Sequence, residues 1–176
     1  MRRDSRQKFT IQRAGIESSN AIATVHIDSW RATYRGHIPD DYLDQLSVSV
    51  RTEFWKAELA REENRVFIAM HNDSICGFIH TGLARDEDLD DRTGEVYAVY
   101  LLSDFQGVGL GVKLWEEATR HLRNGGVTRC VAWVLDTNQT AISFYQRVGC
   151  RPDGARKCDV IGGREVTELR YQVSLV

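Results

Sequence analysis

The stretch DFQGVGLGVKLWEEATRHL, Asp104 to Leu122, decides how the chain is read. Its first half is nearly bare backbone, with Gly107, Gly109 and Gly111 alternating with apolar residues. Its second half spaces Leu110, Leu114, Trp115, Ala118 and Leu122 by three and four, as on one face of an amphipathic helix. The run before it, EVYAVYLL, is near-continuously apolar, like a strand at the centre of a sheet. A strand, a glycine-rich turn and a helix start together make an anion site. The first helical N–H groups lack partners, the helix dipole favours negative charge there, and missing Cβ atoms let a phosphate approach the backbone. The class of ligand this implies is a phosphate ester.

Spacing excludes two familiar versions of that site. The dinucleotide fingerprint G-x-G-x-x-G needs glycine at 112 or 114, where the chain has Val112 and Leu114. A P-loop needs Gly-Lys-Ser/Thr, but Lys113 lies between Val112 and Leu114. A nucleotide-binding protein of either kind is therefore the weaker alternative. The pattern that fits is Q-x-x-G-x-G, formed by Gln106, Gly109 and Gly111 directly after the strand.

Outward from this centre, RCVAWVLD reads as a second buried strand and NQTAISFYQRVG as a short helix with a glycine stop. The tail from Cys150 reads as two strands around Gly162-Gly163, the last alternating from Val166 to Val173. Upstream, FTIQRAG is a short strand ended by Gly15, and SSNAIATVHIDSWRATY opens a first helix that runs to about Arg35. Gly36 and Pro39 break it, and a second helical segment follows to about Asn64, with room for two pieces. RVFIAMHNDSICGFIHTGLA predicts a hairpin about HNDS, and an acidic connection, RDEDLDDRTG, leads to the central strand. Residues 1–8 are expected to be a flexible tail and residues 9–176 a single mixed α/β (α+β) domain.

The Q-x-x-G-x-G run resembles the acetyl-CoA motif of the GCN5-related N-acetyltransferase (GNAT) superfamily. LDTNQTAISFYQRVGC resembles that superfamily's later motif through Asn138, Ala141, Tyr145 and Gly149. The resemblance implies a mostly antiparallel sheet flanked by helices, splayed between the strands Glu95–Leu102 and Arg129–Asp136, with acetyl-CoA entering the split. It places the backbone N–H groups of Gly107, Val108, Gly109, Leu110, Gly111 and Val112, with Gln106 at the turn, around the pyrophosphate. Val99, Tyr100 and Leu101 would offer backbone groups to the pantetheine arm, and Asn138 would bond it while also serving as a helix N-cap. Tyr145 is implied as the general acid that protonates the departing thiolate, a phenol near pKa 10 against a thiol near 8.5.

Glu95, eleven residues before Gln106, is spaced like the catalytic glutamate of the histone-acetyltransferase branch, and is the expected general base, with His26 and His80 as weaker candidates. Trp30 and Tyr34 stand where the superfamily's first helices wall the acceptor site. The acidic RDEDLDDR run is either a solvated loop or an attractor for a cationic amine.

The resemblance thus implies an N-acetyltransferase acting on a primary amine, with a small-molecule acceptor preferred. A protein amino group as acceptor, or a non-catalytic acyl-CoA sensor, are the alternatives. Bulk properties agree with a globular domain. The 176 residues are 42% apolar and 27% charged with net charge −2, so no basic excess points to nucleic acid. No stretch approaches the roughly 20 apolar residues that span a bilayer. Four scattered cysteines without a C-x-x-C pair read as reduced thiols in a cytoplasmic protein. No His/Cys grouping has metal-ligand spacing. The tail permits a monomer or a homodimer.

Overall fold

A computed structural model describes residues 9–176; the tail expected at residues 1–8 lies outside the described residues. The elements are β1 (Phe9–Arg13), α1 (Ser19–Tyr34), α2 (Asp40–Asp44), α3 (Val48–Ala60), β2 (Arg65–His71), β3 (Ser74–Leu83), β4 (Thr93–Leu101), α4 (Leu110–Asn124), β5 (Arg129–Leu135), α5 (Gln139–Arg147), β6 (Arg151–Ile161) and β7 (Arg164–Ser174). The seven strands form one sheet in the order β1-β2-β3-β4-β5-β7-β6. Every neighbouring pair is antiparallel except β4 with β5, which are parallel. A parallel pair needs a crossover connection, and α4 supplies it.

Local chemistry accounts for the boundaries. The second helical segment divides into α2 and α3 because Ser47 leaves helical geometry, and its hydroxyl accepts the Val50 N–H as the N-cap of α3. The β2–β3 hairpin turns on Asn72 and Asp73, tighter than the four-residue HNDS suggests, with Asn72 in the left-handed region at φ 54°. Helices cover both faces of the sheet, which is why its central strands are apolar on both sides. The α4 face places Leu110, Leu114 and Ala118 on Val96, Ala132 and Val134. The α1/α3 face places Ile22, Ala23 and Trp55 on Val66, Ile68 and Phe78. The sheet is thereby held rigid on both sides of its one parallel seam.

Candidate active site

That seam opens. β4 and β5 pair only from Thr93–Arg129 to Val96–Ala132. At the next residue β4 carries a bulge: β3 pairs His80 with Ala98 and Thr81 with Val96, leaving Tyr97 unmatched. A bulge bends its strand and increases its twist, so β4 turns away from β5 from Tyr97 onward. A cavity of about 960 Å³ occupies the opening. The β5-facing backbone groups of Val99, Tyr100 and Leu101, which line the cavity, have no strand beside them.

The glycine turn closes one end of the cavity. Gly109 caps α4 at φ 87° and ψ 0°, a left-handed conformation that L side chains rarely adopt. A Cβ on Gly111 would lie 3.1 Å from the Phe144 ring, so glycine is what lets α4 pack closely on α5. Gln106 lines the opening as well. Its amide donates to the Leu101 carbonyl at 3.0 Å and ties the turn to the end of β4. The first N–H groups of α4 face an opening lined by Gly107, Gly109, Gly111 and Val112, which suits a phosphate.

Asn138 caps α5, its Oδ1 accepting the Ala141 N–H at 3.0 Å, and it also lines the cavity. Tyr145, about two turns further along α5 on the same side, is 4% exposed and lines the same cavity. Its ring stacks on Tyr171 and meets Trp115 edge-on. Burial, with Tyr34 nearby, pushes its phenol well above the usual 10, so it keeps its proton at any working pH.

Residues 25–150 match the model of the Acetyltransferase (GNAT) family. The chain belongs to that family. It is an acetyl-CoA-dependent N-acetyltransferase of GNAT type, and acetyl-CoA is the family's donor cosubstrate. It is 37% identical over 138 residues to the uncharacterized N-acetyltransferase YuaI of Bacillus subtilis, covering 78% of this chain and 77% of that one. It is 24% identical over 170 residues to a spermidine N(1)-acetyltransferase of Thermoplasma acidophilum, covering 92% and 97%. The fold matches the crystal structure of a PaiA N-acetyltransferase of Thermoplasma acidophilum in complex with coenzyme A, with TM-score 0.78, 20% identity, and 95% and 99% of the two chains covered.

Within this GNAT fold the sequence-predicted site residues divide. Gln106, Gly107, Gly109, Gly111, Val112, Val99 to Leu101, Asn138 and Tyr145 line the opening, whereas Val108 is 54% exposed and Leu110, 1% exposed, is part of the core, and neither side chain lines it. Trp30 and Tyr34 wall its far end, the Tyr34 hydroxyl lying 3.1 Å from that of Tyr100.

Glu95 departs from expectation. It is 1% exposed and does not line the cavity; Arg85 does. Its Oε2 accepts from the Arg85 backbone N–H at 3.2 Å and from Nε at 3.1 Å, and its Oε1 accepts from Nη2 at 2.5 Å. Both oxygens are occupied by a cation that stands between the carboxylate and the cleft, so this geometry gives Glu95 the work of anchoring Arg85 rather than taking a proton.

The histidines are likewise structural. His26 Nδ1 accepts from Trp55 Nε1 at 3.2 Å, and burial lowers its pKa to about 3. Burial lowers His80 to about 4, with Arg85 and Arg61 adding to it, against a Glu58 oxygen 3.5 Å away. Neither ring lines the cavity.

The acidic connection is largely exposed, as a solvated loop would be, but it is tied down at Asp86 and Asp88. Arg170, 5% exposed on β7, donates to Asp86, Asp88 and Asp153 at 2.6–3.0 Å, which pins the β3–β4 connection onto β6 and β7. Sequence reasoning also missed Arg85, Tyr97, Trp133, Lys157 and Glu168, all of which line the cavity. For Lys157 and Glu168 the signal is the cross-strand alternation of the last hairpin, which becomes informative only once β7 is known to lie beside β5; Arg85, Tyr97 and Trp133 carry no such local signal.

Proposed function

We propose that the protein transfers the acetyl group of acetyl-CoA to a primary amine of a small molecule, by direct attack in a ternary complex. The observation that carries this reading is the opening of the sheet at Tyr97. It joins a phosphate-binding turn on one side to an aromatic-walled end on the other, with Tyr145 between them. Full-length similarity to an enzyme named for spermidine supports a small-molecule acceptor. Four free cysteines support a cytoplasmic setting.

In this reading the N–H groups of Gly107 to Val112 hold the pyrophosphate. The unpaired β4 edge at Val99 to Leu101 orders the pantetheine arm as an added strand would be ordered, and Asn138 bonds it. The thioester supplies an activated acyl carbon. Backbone N–H groups near Leu101 point toward the oxygen on which charge develops. Tyr145 gives its proton to the sulfur as the carbon–sulfur bond breaks and the carbon–nitrogen bond forms. The nitrogen's surplus proton leaves through water at the open mouth, and a proton from that water restores the phenol, since the carboxylate and both histidines read as bases from sequence lie outside the cavity.

The test is thiol release from acetyl-CoA over a panel of primary amines. Tyr145→Phe should lower kcat about a hundredfold while leaving coenzyme A binding intact. Unchanged turnover in that variant, or no thiol release with any amine, contradicts the proposal.

A further inference from the structure

The acceptor end of the cavity contains an alkylammonium in a defined seat, and that ammonium belongs to the protein. Lys157 Nζ lies 4.3 Å from the centroid of the Trp133 ring and 3.1 Å from Glu168 Oε2. All three residues line the cavity. They are neighbours for a topological reason. Lys157 is paired with Glu168 across β6 and β7, Glu168 with Leu135 across β7 and β5, and Trp133 stands two residues earlier on the same face of β5.

An aromatic face closed by a carboxylate is how a protein recognises a cationic amine. The fit is also replaceable. Lys157 is 41% exposed on a flexible stem, and such a half-exposed pair is weak, so its ammonium can leave for water at little cost. The seat cannot leave as easily. Glu168 is 21% exposed, and the Trp133 indole is fixed by its Nε1 donating to Asp86 at 2.9 Å. Around it the charges are mixed: the Arg170 guanidinium lies 5.5 Å from the Trp133 ring, and Arg85 and Arg147 also line the cavity. Arg170 faces three carboxylates, and Asp159 lines the cavity beside Lys157 and Glu168.

We infer that Trp133 and Glu168 form a subsite for a second, non-reacting ammonium of the acceptor, which Lys157 occupies until the acceptor displaces it. The acceptor class is then a diamine or longer polyamine, held by one ammonium while its other amine reaches the thioester. The inference rests on the acetyltransferase reading for its catalytic test but not for its binding test. Lys157 is an internal competitor: it keeps the seat filled and excludes amines that offer no second charge to replace it.

The experiment compares α,ω-diamines of three to six carbons with n-alkylamines of equal length, at pH 7.5, in the wild type, Glu168→Gln and Lys157→Met. Thiol release gives kcat/KM, and the thermal melt of the CoA-saturated protein gives amine binding without turnover. The wild type should prefer its best diamine by roughly tenfold or more, the expected effect of one seated, charge-paired ammonium. Glu168→Gln should bring the diamine-to-monoamine ratio near one in both readouts. Lys157→Met should raise that ratio, through a lower KM for the diamine. A diamine preference that survives Glu168→Gln, one lost in Lys157→Met, or equal handling of both amine series in the wild type overturns the subsite. If no amine releases thiol, the acetyltransferase proposal fails, while the melt still decides whether the subsite selects a dication.

Discussion

Replacing Glu95 by glutamine separates an anchor from a base. The amide keeps the shape of the carboxylate but removes the charge that receives three hydrogen bonds from Arg85. Its NH2 group would also turn a donor toward the guanidinium. Charge-assisted bonds of this kind contribute about 1.5–3 kcal/mol when intact. Here one partner is buried and the other is 65% exposed, so the freed guanidinium can recover hydration and much of that value is screened. The expected loss is about 1–2 kcal/mol, a fall in Tm of roughly 2–8 °C for a domain of this size. The released Arg85 and the Tyr97 ring 4.3 Å beneath it would move at the cleft wall, so kcat should drop by less than about tenfold. A general base would behave differently, with a loss of about 10²–10⁴ in kcat and little change in Tm. Thermal denaturation and steady-state thiol release on the same preparation distinguish them. A loss of a hundredfold or more in kcat at unchanged Tm refutes the anchoring account.

Other perturbations follow from the same geometry. Gly109→Val forces a β-branched residue to φ 87°, at about 1–2 kcal/mol, and should weaken coenzyme A binding; a titration giving wild-type affinity would remove the turn from the pyrophosphate site. Arg170→Met leaves three carboxylates without their shared cation and should cost about 3 kcal/mol, read as a Tm fall of roughly 6–12 °C, with a smaller fall for Arg170→Lys, which keeps the charge. His26 and His80 are neutral when folded, with pKa values of about 3 and about 4, but take up protons near 6.5 when unfolded. Their contribution is complete above pH 6.5 and is lost as pH falls toward 4 and 3. Tm should therefore drop several degrees between pH 7 and 5, and a flat profile would contradict their burial as neutral rings.

The sequence was most legible where one element determines its own structure. The helical spacing of Leu110 to Leu122 and the run of glycines before it locate α4 and its N-terminus without reference to the rest of the chain. Asn138 likewise could be read as a cap from its position alone. Groups that meet through tertiary pairing were not legible. Nothing in EVYAVYLL marks Tyr97 as the bulged residue, because a bulge is a property of two strands and both halves of this one look like ordinary strand. Glu95 looked free because Arg85 is ten residues away across a hairpin and a connection whose path the sequence does not reveal. The tether of the acidic run was not legible because the countercharge of Asp86 and Asp88, Arg170, lies more than eighty residues further along the chain.

The central claim is that the glycine turn and the split between β4 and β5 hold acetyl-CoA. A thermal melt of the protein with acetyl-CoA, coenzyme A, ATP and NAD in parallel tests it most directly. At a hundred times the dissociation constant a ligand adds about 2.7 kcal/mol, roughly 5–10 °C here. The account predicts that shift for the two coenzyme A compounds and none for ATP or NAD. A shift with ATP or NAD, and none with coenzyme A, would contradict it.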